Sequence, residues 1–83
     1  MNIIHYPLST EKTIRLMESE NKLVFVVERK AKKHEIKKAL EDLYNVKINS
    51  INTLITPSGK KRAYVKFDED SPAIDLATKL GLM

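Results

Sequence analysis

Apolar residues change their spacing several times along the chain, and each change marks an element. Ile3-Ile4 predicts a short first strand that Pro7 ends, because proline holds the preceding Tyr6 extended. Ser9-Thr10-Glu11 then reads as a helix start: a hydroxyl caps the free amides and Glu11 lies at the positive end of the helix dipole. Ile14 and Met17, three apart, share that helix's buried face, and "ESEN" (Glu18 to Asn21) stops it. In "KLVFVVE", Lys22 to Glu28, Leu23, Phe25 and Val27 point one way while Val24 and Val26 point the other. Both faces are apolar, as in an inner strand.

"KKHEIKKALEDLY" is the clearest helix. Ile36, Ala39, Leu40 and Leu43 fall at i, i+3, i+4 and i+7 and predict one apolar stripe, with Lys33, Lys37 and Lys38 lying away from it. Val46 to Ile55 reads as a strand whose alternation slips by one between Ile48 and Ile51, which a β-bulge near Asn49-Ser50 absorbs. The turn "TPSGK" follows, with Pro57 fixing φ and Gly59 free to take positive φ. "RAYVKF" returns, with Ala63, Val65 and Phe67 on one face and Arg62, Tyr64 and Lys66 on the other. In "SPAIDLATKLG", Ser71 is read as the cap, Pro72 as the first helical position, and Ile74 and Ala77 as one side of a helix that Gly81 ends. The order is strand, helix, strand, helix, hairpin, helix: an α+β class.

At 83 residues this predicts a single domain over residues 1–83 with a modest core. The chain has no cysteine, which removes disulfides and thiolate metal sites. Its longest apolar run, Leu23 to Val27, is far below the roughly 20 residues of a membrane span. "MNIIHYPLS" lacks the basic start of a signal peptide, so a soluble cytosolic protein is expected.

Charge alters the picture more. The net charge is +4, yet Arg29 to Lys66 carries +8 and the two flanks together −4. Such asymmetry points to one face made for a polyanion and another for a different partner. Catalysis has little support: His5 and His34 lie on different elements, and no nucleophile, base and orienting group announce themselves. No metal-ligand set is recognisable, "DED" (Asp68 to Asp70) reads as a solvated turn, and Gly59 does not make a phosphate loop.

"KKRAYVKF", Lys60 to Phe67, nearly spells the RNA-reading octapeptide of the RRM domain. Lys61 stands where glycine is expected and Arg62 where the first stacking ring belongs. Only Tyr64 supplies a ring on that face, and the first strand, "NIIHYPL", matches the partner motif poorly. Lys60, Lys61, Arg62 and Lys66 suit phosphates instead, contacts that position a protein without reading sequence. An RRM-like module for single-stranded RNA is the alternative.

"YPLSTEKT", "KKHEIKKALEDLYNVKI", "INTLITPSGKKRAYVKF" and "DLATKLG", in that order, resemble the universal large-subunit ribosomal protein family number twenty-three. Size and the short hairpin loop look most like its archaeal form. The resemblance implies a four-stranded, mainly antiparallel sheet in order 1-2-4-3 packed with two to three helices. It implies a cytoplasmic structural constituent of the large ribosomal subunit, not an enzyme, with no cofactor, metal or small-molecule substrate. Implied partners are large-subunit rRNA, neighbouring ribosomal proteins, and nascent-chain factors such as signal recognition particle at the polypeptide exit tunnel.

The rRNA-binding candidates are Lys12, Lys30, Lys32, Lys33, Lys37, Asn52, Lys60, Lys61, Arg62, Tyr64 and Lys66. Glu11, in the family's Ser/Thr-Glu-Lys motif, is the factor-docking candidate. Three departures stand out. The long basic hairpin loop of bacterial members is reduced here to "TPSGKK", and the basic N-terminal extension of eukaryotic members is missing. Lys32 replaces a threonine helix cap.

Overall fold

A computed structural model describes residues 3–82. The elements are β1 (Ile4–Pro7), α1 (Glu11–Glu20), β2 (Lys22–Val27), α2 (Lys33–Tyr44), β3 (Ile48–Ile55), β4 (Lys61–Phe67) and α3 (Ala73–Lys79). The strands form one sheet in the order β1-β2-β4-β3. All three pairings are antiparallel, so "mainly" becomes "wholly" for the described residues. From β2 onward the chain follows β-α-β-β-α, the first five elements of the ferredoxin-like order, and β1 supplies the remaining strand.

One apolar cluster unites the sheet with all three helices. Leu23, Phe25, Val27, Ala63, Val65 and Phe67 of the inner strands meet Met17 of α1, Ile36 and Leu40 of α2, and Leu76 and Ala77 of α3. The helices therefore cover one face of the sheet, and the molecule is only 20 Å thick along its shortest axis. Val24 and Val26 belong to the other face, where no helix lies, yet they are buried. Their partners in register are Tyr6, Arg62 and Tyr64, long side chains that close over the small valines.

Local chemistry explains the boundaries. Thr10 caps α1: its Oγ1 accepts the Thr13 N–H at 3.2 Å, while Thr13 Oγ1 accepts the Thr10 N–H at 2.8 Å. Thr13 thus takes the place of the Glu or Gln usual in a capping box. Asn21 ends α1 in the left-handed conformation, φ 55°. The bulge falls as expected, between Ile48 and Ser50. Gly59 has φ 86° in the hairpin turn, which the Gly59 N–H closes on the Thr56 carbonyl at 2.9 Å.

The first strand ends at Pro7 as expected, with the proline itself its last residue, tolerable because β1 is an edge strand that needs no outward donor there. Other expectations are corrected. Ser71 does not cap α3. Its Oγ accepts the Lys47 N–H at 2.9 Å, Pro72 takes the cap position, and Asn21 Oδ1 accepts the Ala73 N–H at 2.6 Å. Ile74 is exposed, and Ala73, Leu76 and Ala77 form the buried side of α3.

Leu43 is likewise 61 % exposed. The buried stripe of α2 runs Ile36, Leu40 and the half-buried Tyr44, because α2 meets the sheet with its i, i+4, i+8 row. Leu43→Ala is accordingly expected to change the unfolding free energy in urea by no more than about 0.5 kcal/mol.

Candidate nucleic-acid interface

The antiparallel ladder sorts the basic residues by where along the sheet they fall. β2 ends at Val27 opposite Lys61, where β4 begins. The loop from Arg29 to Lys32 and the hairpin tip therefore adjoin at one pole. A single contact fixes them together: Lys61 Nζ donates to the Ala31 carbonyl at 2.6 Å. Lys30, Lys32 and Lys33 are exposed there, and Lys37 lies one turn further along α2. At the entry of α2, the Glu35 carboxylate accepts the Lys32 N–H at 2.9 Å, so the helix is half capped without a threonine. The lysine side chain has no acceptor to offer.

At the opposite pole β4 runs into Asp68, Glu69 and Asp70, and α1 ends in Glu18 and Glu20. Lys22 and Lys66 also stand at that end, paired in register, so the two poles differ in net charge without either being of one sign.

Alternation along β4 divides the hairpin residues between two faces. Arg62, Tyr64 and Lys66 have the parity opposite to the buried Ala63, Val65 and Phe67 and lie on the open face. Asn52 stands across from Tyr64 and Leu54 across from Arg62, which extends that face onto β3. Lys61 goes to the helix side and spends one of its donors on Ala31.

The expected partner strand for the RRM-like stretch is also corrected. β4 neighbours β2, so Val24, an aliphatic residue, stands directly across from Tyr64. One ring, one guanidinium and a valine do not make a two-ring stacking pair.

Not every candidate joins this surface. Lys12 is exposed on α1, within the helical layer. Glu11 is exposed near it and forms an i,i+4 ion pair with Arg15 at 2.7 Å, so its charge is already matched on the surface. Sequence reasoning passed over two residues. Tyr6 is 43 % exposed on the open face opposite Val26, and Lys60 Nζ donates to its hydroxyl at 3.3 Å. Arg29 is exposed at the basic pole, and its place in the charge run was the signal that pointed to it.

Among the described residues there is no group of three or more His, Asp or Glu arranged to hold a metal ion. No helix among them is long and apolar enough to cross a membrane. Fold and surface together define a small basic α+β protein that offers a charged pole and an open sheet face, a binding architecture.

The comparisons with known proteins are more specific. The family described as ribosomal protein L23 matches residues 2–74. The chain is also similar to the large ribosomal subunit protein uL23 of Methanococcus aeolicus, 44 % identical over 81 residues, covering 98 % of this chain and 94 % of the relative. The chain belongs to the ribosomal protein L23 family. It is a structural ribosomal protein of the large subunit and the cytoplasmic ribosome, not an enzyme.

Proposed function

We propose that the chain, as one domain over residues 1–83, grips folded large-subunit rRNA by its phosphates through the basic pole and the open sheet face. Lys30, Lys32, Lys33 and Lys37 contribute from the α2 side, and Lys60, Arg62 and Lys66 from the hairpin. Lys61 adds whatever donors the Ala31 carbonyl leaves over, and Lys12, outside that surface on α1, adds a separate contact to RNA on the helical side. Asn52 and Tyr64 add a hydrogen bond and a ring on the open face.

The observation that carries this reading is the Lys61 to Ala31 bond. It draws two basic clusters some thirty residues apart in sequence into one field. A concentrated positive surface of this kind neutralises several phosphates at once and releases their counterions.

The acidic side then remains for other contacts. At the rim of the polypeptide exit tunnel, Glu11 and its surroundings would dock nascent-chain factors such as signal recognition particle. Neighbouring large-subunit proteins complete the list of partners. The hairpin turn, Thr56 to Lys60, is too short to carry a tunnel-lining extension.

The test is a salt series. Binding to protein-free large-subunit rRNA is expected to fall with a log–log slope of roughly −4 to −7, for six to eight neutralised phosphates at about 0.7–0.9 each. A slope near zero between low and moderate salt defeats the phosphate reading.

A further inference from the structure

The corner of the open sheet face holds a cavity of about 260 Å³ that the phosphate contacts leave unexplained. It lies between edge strand β1 and the hairpin tip. Tyr6 contributes an exposed ring, Val26 and Val27 lie almost wholly buried at the cavity floor, and Gly59, Lys60 and Arg29 complete the wall toward the basic pole. Lys61 also borders it, as do Glu28 and His5, which lie 3.6 Å apart.

We propose that this cavity receives one unstacked base of the bound RNA, with Tyr6 as its stacking partner and Lys60 and Arg29 on the adjoining phosphates. The inference rests on the rRNA-binding reading and adds to it a base contact through a residue outside the phosphate set.

Three features specify this occupant. First, the Tyr6 ring already attracts a cation: Lys60 Nζ sits 5.9 Å from its centroid. A flat base can take that place over the ring, and the ammonium swings to the phosphate the base brings with it. Second, an apolar lining beside several cations matches a nucleotide, which has a hydrophobic face and an anionic backbone. An aliphatic peptide would leave the cations unpaired, and a bare phosphate would leave the exposed ring unused. Third, a Cβ added at Gly59 would meet nothing within 4 Å, so the hairpin backbone leaves room for a ligand to approach. Tyr64, toward the middle of the same face, continues the surface for a neighbouring nucleotide.

Affinity and salt slope separate this inference from the phosphate reading. Tyr6→Ala, Tyr6→Phe and the native chain are titrated with protein-free large-subunit rRNA across a salt series, with thermal melts to confirm folding. Stacking predicts that Tyr6→Ala weakens binding roughly 5- to 100-fold, that Tyr6→Phe stays within about twofold, and that the slope is the same in all three. Ultraviolet irradiation of the native complex is expected to leave a nucleotide on the peptide that carries Tyr6. Unchanged affinity of Tyr6→Ala with the slope preserved overturns the base site and leaves the phosphate reading standing. Equal losses in Tyr6→Ala and Tyr6→Phe overturn it as well, because the hydroxyl rather than the ring would then be the contact. A flat slope in the native chain sinks the phosphate reading, and with it the inference that rests upon it.

Discussion

Reversing Arg62 and Lys66 to glutamate together is expected to weaken association with large-subunit rRNA at least about a hundredfold at moderate salt. Both residues lie on β4 with their side chains on the open face, separated by Tyr64. Each reversal removes one phosphate contact and its released counterion, and then adds repulsion at the same spot. A matching single pair, Arg62→Glu on the open face and Lys79→Glu on α3 in the helical layer, makes equal changes in net charge. Lys79→Glu is expected to lose less than about twofold, because no phosphate contact is assigned to α3 and a screened surface charge away from the RNA contributes little. Filter binding of the double variant and of this pair decides the matter. If the two members of the pair lose affinity equally, net charge rather than the sheet face governs binding, and the assignment of Arg62 and Lys66 fails. Arg62→Gln with Lys66→Gln separates lost attraction from added repulsion and should fall between the native chain and the reversed one.

The largest effect on stability is expected from a residue with no part in binding. Asn21 joins three elements that lie far apart in sequence. Its Nδ2 donates to the carbonyls of Phe67 and Asp68 at 3.1 and 3.2 Å, and its Oδ1 accepts the Ala73 N–H at 2.6 Å. The backbone of this one residue closes the end of α1, while its side chain secures the end of β4 and caps α3. Asn21→Ala removes all three bonds, leaves partly buried backbone groups without partners, and places a Cβ residue of low left-handed preference at φ 55°. The expected loss is about 3 kcal/mol in urea denaturation, which for a domain of this size lowers Tm by roughly 10–20 °C. Asn21→Gly loses the same bonds but not the backbone preference, so it should regain about 1 kcal/mol of that loss. An Asn21→Ala protein as stable as the native chain would show that the three bonds merely replace equivalent water contacts.

Much of the architecture could be read before any coordinates. Period-2 alternation located β2 and β4, the slip between Ile48 and Ile51 located the bulge, and Thr-Pro-Ser-Gly located the hairpin. These are local signals, since each follows from the geometry of a few consecutive residues. The strand order came from family resemblance rather than from spacing, because pairing between β2 and β4 joins segments some forty residues apart. Errors clustered where a local rule offered two equally good answers. A helix with apolar residues at i, i+3, i+4 and i+7 can roll either way, and α2 rolled to bury Tyr44 and expose Leu43. Ser71 looked like a cap, but the amide of Ala73 found a better acceptor in Asn21, 52 residues earlier.

The candidate site followed the same division. Its composition was legible, because the segregation of Lys and Arg into the middle of the chain survives folding as a charged pole. Its geometry was not. Alternation with Ala63 and Val65 put Lys61 on the helix side, but nothing in the sequence marked the carbonyl of Ala31, thirty residues earlier, as the group it binds. Tyr6 preceded a proline in a strand of four residues, too short for alternation to say which face its ring would take.

By itself, then, the sequence determined the element types, the segregation of charge and the kinship with a ribosomal family. All three depend on residues near one another or on motifs taken whole. The tertiary structure alone decided which side of the sheet stays open, which cations lie beside which, and that Tyr6 and the hairpin tip enclose a cavity. Those depend on register between distant strands and on the single face that the helices cover, and no local window contains that information.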